Sequence, residues 1–267
     1  MSAAHPAAET FRRSEPFGRW RRAARETVAA ALALILTAAP TAPAELPAPF
    51  EAKYAGRRFP LKAEATLRLE RLGDYLRYTM RATVGVGFYV LTETYDCSVM
   101  QAQDGALHPL EYRHRDRRDS DRAVGIRFDR EHRRARVVRG DGSVAEIEQL
   151  PSPVFDVMSI QVRLRADAPA LGSEETREYA VVERGGLRTY RVRQGGAESV
   201  PANGVALQAL KLVAESARRA SAFWFAPAYG WLPVRMEVGG VTLTLVSPPE
   251  EAARTTGAPT DEVPACE

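Results

Sequence analysis

The residues able to do chemistry are few and scattered. Four histidines stand at His5, His108, His114 and His132, and two cysteines at Cys97 and Cys266. Ser159 begins a stretch of helical spacing with no histidine nearby, so it reads as a first-turn hydrogen-bonding serine rather than a nucleophile. A triad assembled from distant segments is the alternative. His114 and Asp116 could hold a metal only with ligands from elsewhere, and the three histidines outside the N-terminal segment read as surface residues. Gly85-Val86-Gly87 lacks the length, lysine and following helix of a phosphate loop. We therefore expect no catalytic residue, no metal and no cofactor.

Two clusters carry more. The stretch "SAFWFAPAYGWLPVRMEV", residues 221–238, concentrates two of the three tryptophans. Phe223, Trp224, Phe225, Trp231 and Met236 are candidates to line an apolar ligand cavity. The competing reading is packing, since a large aromatic ring buries roughly 150–250 Å² and commonly anchors a core. Residues 111–139 hold eleven arginines against six acids. Within them Arg113, Arg115 and Arg117 alternate, and are candidate contacts to an anionic headgroup or an acidic partner, because guanidinium forks grip phosphate bidentately. Here the competing reading is a solvated hairpin face, partly neutralised by the interspersed acids.

Charge and targeting narrow the compartment. "RWRRAARE" precedes the apolar run "TVAAALALILTAA" and the small-residue stretch "PTAPAE", so residues 1–44 read as an export signal cleaved before Glu45. The run is shorter than the about 20 residues that span a bilayer. An uncleaved signal anchored in the inner membrane is the alternative. The signal carries six arginines and three acids, which leaves thirty-one basic and thirty-one acidic residues beyond it. A neutral exported chain argues against nucleic acid as a partner. Export permits a disulfide, but Cys97 reads as a buried strand thiol and Cys266 as an exposed thiol in the tail 249–267. That tail is rich in Pro, Ala, Thr and acids and reads as disordered.

The elements that must position these residues are strands. "RFPLKAEATLRLERL" and "YLRYTMRATVGV" alternate apolar and polar residues, and Gly73-Asp74 marks the turn between them. Similar segments recur to residue 247, with turns at "QDG", Gly140-Asp141-Gly142 and Gly185-Gly186. "SPVFDVMSIQVRLRADAP" breaks the rhythm with helical spacing. Ser152 or Asp156 is its expected cap, Pro153 its first-turn proline, and Pro169 its end. A dozen or more antiparallel strands cannot stay flat without exposed edges. The expected fold is all-β with one helix: a large curved antiparallel sheet or incomplete barrel, with the helix covering its concave side. A two-sheet sandwich is the alternative. Residues 45–248 form the single expected domain.

"PFEAKY", "LHPLEY", "DVMS" and "FWFAP" followed by "GWLPVRMEV" occur in an order and spacing that resemble the DUF3108 family of exported bacterial proteins without assigned function. The resemblance covers residues 49 to 247. It implies a fold similar to lipoprotein carriers of the LolA/LolB type, whose curved sheet holds acyl chains against a helical lid. The resulting expectation is a periplasmic, non-catalytic binder of an apolar or amphiphilic envelope component, with peripheral membrane contact allowed. An envelope scaffold acting on a partner protein through the arginine-rich hairpin is the alternative.

Overall fold

Period-two alternation carries the chain through fifteen strands among the described residues. The computed structural model describes residues 46–217, 219–252 and 263–266. The export signal expected over 1–44 and most of the tail lie outside them. The strands are β1 (Phe50–Arg58), β2 (Leu61–Leu72), β3 (Tyr75–Val86), β4 (Tyr89–Gln103) and β5 (Ala106–Asp116). Then come β6 (Val124–Asp129), β7 (Arg134–Arg139), β8 (Val144–Ile147) and β9 (Val154–Asp156). One α-helix, α1 (Ser159–Asp167), follows. The chain ends with β10 (Thr176–Glu183), β11 (Gly186–Ala202), β12 (Val205–Glu215), β13 (Ala220–Ala226), β14 (Leu232–Val238) and β15 (Val241–Leu245).

All fifteen join one sheet in the order β8-β7-β6-β5-β4-β3-β2-β1-β15-β14-β13-β12-β11-β10-β9. A single continuous sheet excludes the sandwich. Antiparallel neighbours need only short turns, and Asn203-Gly204, both at positive φ, makes one of them. One pair differs: β9 runs parallel to β10. Parallel neighbours need a long crossover, and α1 supplies it.

The crossover corrects the expected helix. Residues 154–156 form β9, so Pro153 precedes a strand rather than starting a helix, and α1 begins at Ser159. The N-cap position falls to Met158, and Asp156, two residues ahead of it, holds the helix start. The Asp156 carboxylate accepts from the backbone N–H groups of Met158 (2.8 Å) and Ser159 (2.9 Å). Ser159 Oγ accepts from the Asp156 N–H in return. This reciprocal pairing satisfies helix-start donors that would otherwise be buried unpaired.

One face of the sheet carries α1 and the core. Tyr54, Leu67, Leu69, Leu76, Met100, Ile126, Leu212 and Leu232 are fully buried there with Phe155 and Leu164. Each such side chain contributes about 1.5–3 kcal/mol through burial. Arg165, on α1, lies under this core rather than at a solvated helix end. Its Nε donates to the Gly230 carbonyl at 2.9 Å, and its guanidinium sits 4.8 Å over the Phe50 ring. Opposite ends of the chain are thereby tied through the helix.

The sheet curls until its ends meet through side chains. Ser98 on β4 donates to Asp156 on β9 at 2.8 Å. Arg139 on β7 donates to the Arg184 carbonyl between β10 and β11 at 2.9 Å, and Arg184 donates to the Asp121 carbonyl at 2.7 Å. Leu150 and Arg133 exchange backbone and side-chain bonds at the other end of this seam.

On the opposite, outer face a second small cluster holds Cys97, Val99 and Cys266. Cys97 and Cys266 form a disulfide, which overturns the expectation of two separate thiols. Glu250 pairs with Glu51 beside β1, and Cys266 lies against β4 and β5, where its N–H meets Glu111. Local composition says nothing about such a long-range staple. The bridge spans 169 residues of sequence. A closed loop of this size restricts the unfolded chain, so Cys266→Ser is expected to lower the unfolding free energy by about 5 kcal/mol. Urea unfolding with and without reductant measures this; unchanged midpoints in both would show that no staple forms.

Candidate functional site

The arginine candidates sit on the outer face. Arg113 and Arg115 alternate along β5, and Arg117 follows its end. Cross-strand pairing places Arg81 on β3 beside Tyr95 on β4, and Tyr95 beside Arg115. The Arg81 guanidinium lies 5.5 Å from the Tyr95 ring centroid. These residues, with Glu93, Asp116, Arg117, Ser120 and Ala123, line an open groove of about 620 Å³. Arg117 donates to Glu93 at 3.0 Å, an exposed pair of small energetic weight. Arg81 and Arg115 make no ion pair with another described residue. Two guanidiniums beside one aromatic ring therefore border a groove whose carboxylates, Glu93 and Asp116, are paired with Arg117 and Arg122 instead. Arg113 is separate: it donates to Glu111 at 2.8 Å and lines a second outer groove with Arg127 and Arg136.

The aromatic candidates divide between faces. Phe223 and Met236 are cross-strand partners on the inner face, and Phe225 stacks near Phe223 with ring centroids 6.2 Å apart. All three are buried in the core. Trp224 points outward, yet it too is buried. Lys211 (4.7 Å) and Arg235 (4.6 Å), its neighbours on β12 and β14, sandwich its ring. Its indole N–H donates to Glu198. Trp231 is half-buried in the β13–β14 turn at φ 62, a left-handed conformation unusual for a bulky residue. Its N–H is held by the Ala226 carbonyl at 3.0 Å. None of the five lines either groove described above.

A buried polar network lies beneath the arginine strand. Tyr112 donates to Asp96 at 2.7 Å, and His114 Nδ1 lies 2.9 Å from the same oxygen. Burial, with Asp96 close by, pushes the Tyr112 hydroxyl well above the usual phenol range. Burial also pushes the Asp156 carboxyl up, against the pull of its hydrogen bonds. Across the network Tyr190 donates to Glu183, which also pairs with Arg188 at 2.9 Å. Tyr112, Tyr190 and Ser159 each donate to a carboxylate, whereas Arg188 Nε, close to Glu183, lacks a well-aligned hydrogen bond. Among the described residues no group of three or more His, Cys, Asp or Glu side chains could hold a metal ion.

Sequence reasoning missed Arg81, Tyr95 and Glu93. It also missed the exposed hairpin tips at Phe59 and Phe88. Aromatics inside turn segments, in "RRFPLK" and "GVGFYVL", were the available signal.

The geometry defines a class first: a barrel-like curved sheet plugged by one helix, with its open grooves on the wall. A crystal structure of a β-barrel-like protein of domain of unknown function DUF1849 from Brucella abortus is similar, with a TM-score of 0.50 at 9% identity. The match covers 76% of this chain and 98% of that one. No curated protein matches. The chain belongs to the DUF3108 family, proteins of unknown function, whose family model matches residues 49–246.

The hydrogen bond to Asp96 raises the His114 pKa above 6.5, assisted by the charges of Asp96 and Asp116 and opposed by burial and Arg122. A raised folded value means that protonation favours the native state. The His114 contribution is complete below about pH 6.5 and is lost as pH rises through the folded value. His114→Gln should remove this decline from a series of unfolding midpoints taken across pH 6–9. An identical pH dependence in the variant would exclude His114 as its source.

Proposed function

We propose that this is an exported, periplasmic, non-catalytic protein that binds an amphiphilic envelope component by its anionic headgroup, on the outer wall of the sheet. The row Arg81–Tyr95–Arg115 carries the reading. Its two guanidiniums lack carboxylate partners among the described residues and border an open groove. Guanidinium groups bind phosphate through paired charge-assisted hydrogen bonds, and the tyrosine face offers apolar contact to the attached glycerol or chain. The burial of Phe223, Phe225 and Met236 moves the reading from the interior to the wall.

The scaffold reading keeps one specific observation. Arg127 and Arg136 are exposed beside Arg113 around a second groove of about 430 Å³, a surface suited to an acidic protein.

Titration calorimetry with monomeric dihexanoyl phosphatidylglycerol tests the proposal. Arg81→Glu/Arg115→Glu should weaken binding by at least about tenfold, equivalent to one lost charge-assisted bond. Arg127→Glu/Arg136→Glu should leave it unchanged. Equal loss in both pairs, or no binding by the unaltered protein, would refute the groove as the site.

A further inference from the structure

The two rims of the sheet differ in kind. One carries the β2–β3, β4–β5 and β11–β12 turns, built from Gly73-Asp74, Asp104-Gly105 and Asn203-Gly204. The other carries the β1–β2, β3–β4 and β14–β15 turns, which the strand order places side by side. There Phe59 is 99% exposed, Phe88 103% and Tyr89 80%. Val90, Leu91 and Val238 are exposed beside them. Three further exposed apolar residues, Val138, Val144 and Leu187, flank the β7–β8 and β10–β11 turns of the same rim. Twelve large hydrophobics are exposed among the described residues, and nine of them lie on this rim. Single exposed apolar residues are ordinary, but a concentration at turn tips, where polar residues serve better, needs an occupant.

We infer that this rim inserts into an anionic bilayer surface, with Phe59 and Phe88 as the leading wedges. The shape favours a bilayer over a folded partner: the aromatics project from separate hairpins, and lipid accommodates separate wedges without a matching pocket. Charge favours anionic lipid. Arg57 and Lys62 are exposed cross-strand partners just behind Phe59. Arg117, Arg118 and Arg122 lie in the neighbouring β5–β6 loop, where Asp116, Asp119 and Glu93 are held in ion pairs with Arg122 and Arg117 and Asp121 is the exposed acid. Glu64 is the exposed acid on the β1–β2 hairpin. Apolar insertion and basic attraction add at such interfaces. The groove of Arg81 and Arg115 opens on the wall of the same β3–β4 hairpin, about 17 Å back from its turn, on the side that would face the membrane surface. The inference goes beyond the headgroup reading and uses different residues, so each can fail alone.

The test uses the full chain with vesicles of phosphatidylcholine alone or mixed with phosphatidylglycerol. Tip-specific insertion is read from Phe88→Trp fluorescence quenched by brominated lipid, with Val205→Trp on the opposite rim as reference. Stronger quenching at 88 than at 205, greater with phosphatidylglycerol, is expected. Phe59→Ser/Phe88→Ser should lose at least about tenfold in phosphatidylglycerol-dependent vesicle binding, since two buried rings are removed, while keeping its unfolding midpoint and its calorimetric binding of the short-chain lipid. Equal quenching at the two positions, or undiminished vesicle binding by the double variant, overturns the inference. So does a protein that ignores vesicles but sediments as a dimer, with Phe59→Ser/Phe88→Ser monomeric, because the rim would then be a contact between copies.

Discussion

The Asp156 carboxylate is the constraint on which the rest of this structure depends. It is fully buried, where an unpaired charge would cost several kcal/mol. Four hydrogen bonds offset that cost, and they come from three places: Ser98 on β4, the backbone of Met158 and Ser159, and the Ser159 hydroxyl. One group therefore starts the helix and bridges the seam of the curled sheet. A fifteen-stranded sheet that does not close by a hydrogen-bonded ladder has two free edges, and an open edge is a liability. Here β9, the edge strand, is held against β4 by a side chain rather than a ladder. The helix that follows it fills the concave face.

Much of this was legible from the sequence. Alternation in "RFPLKAEATLRLERL" gives β2 with its correct buried face, and the break at "DVMS" locates the helix. The order of β9 and α1 was not legible, because three residues of strand carry no period of their own. The disulfide was hidden for a different reason: it joins residues 169 apart in sequence, a long-range pairing that local composition does not encode.

The candidate site was half legible, and two β-bulges explain the missing half. Counting back from the Val86–Tyr89 end of the β3–β4 hairpin would place Arg81 opposite Thr94. The irregularity after Val84 shifts the register by one, so Arg81 meets Tyr95. A second shift between Val99 and Met100 places Tyr95 beside Arg115 instead of His114. The row of arginine, tyrosine and arginine exists only because both shifts occur. Bulges commonly re-aim side chains in this way. The aromatic stretch behaves oppositely: its alternation was readable, but whether Trp224 met a groove depended on Lys211 and Arg235 from adjacent strands. They close over it as a cation–π sandwich. The exposed arginines and apolar hairpin tips thereby lie on the wall and rim, outside a packed interior.

Native-state hydrogen exchange of Asp156→Asn, compared with the unaltered protein, tests the central claim of seam closure most directly. Loss of amide protection concentrated in β9, α1 and the facing part of β4, with β1, β2, β14 and β15 still protected, is the predicted result. Unchanged protection at β9 and α1, or a uniform loss across the whole sheet, would contradict it.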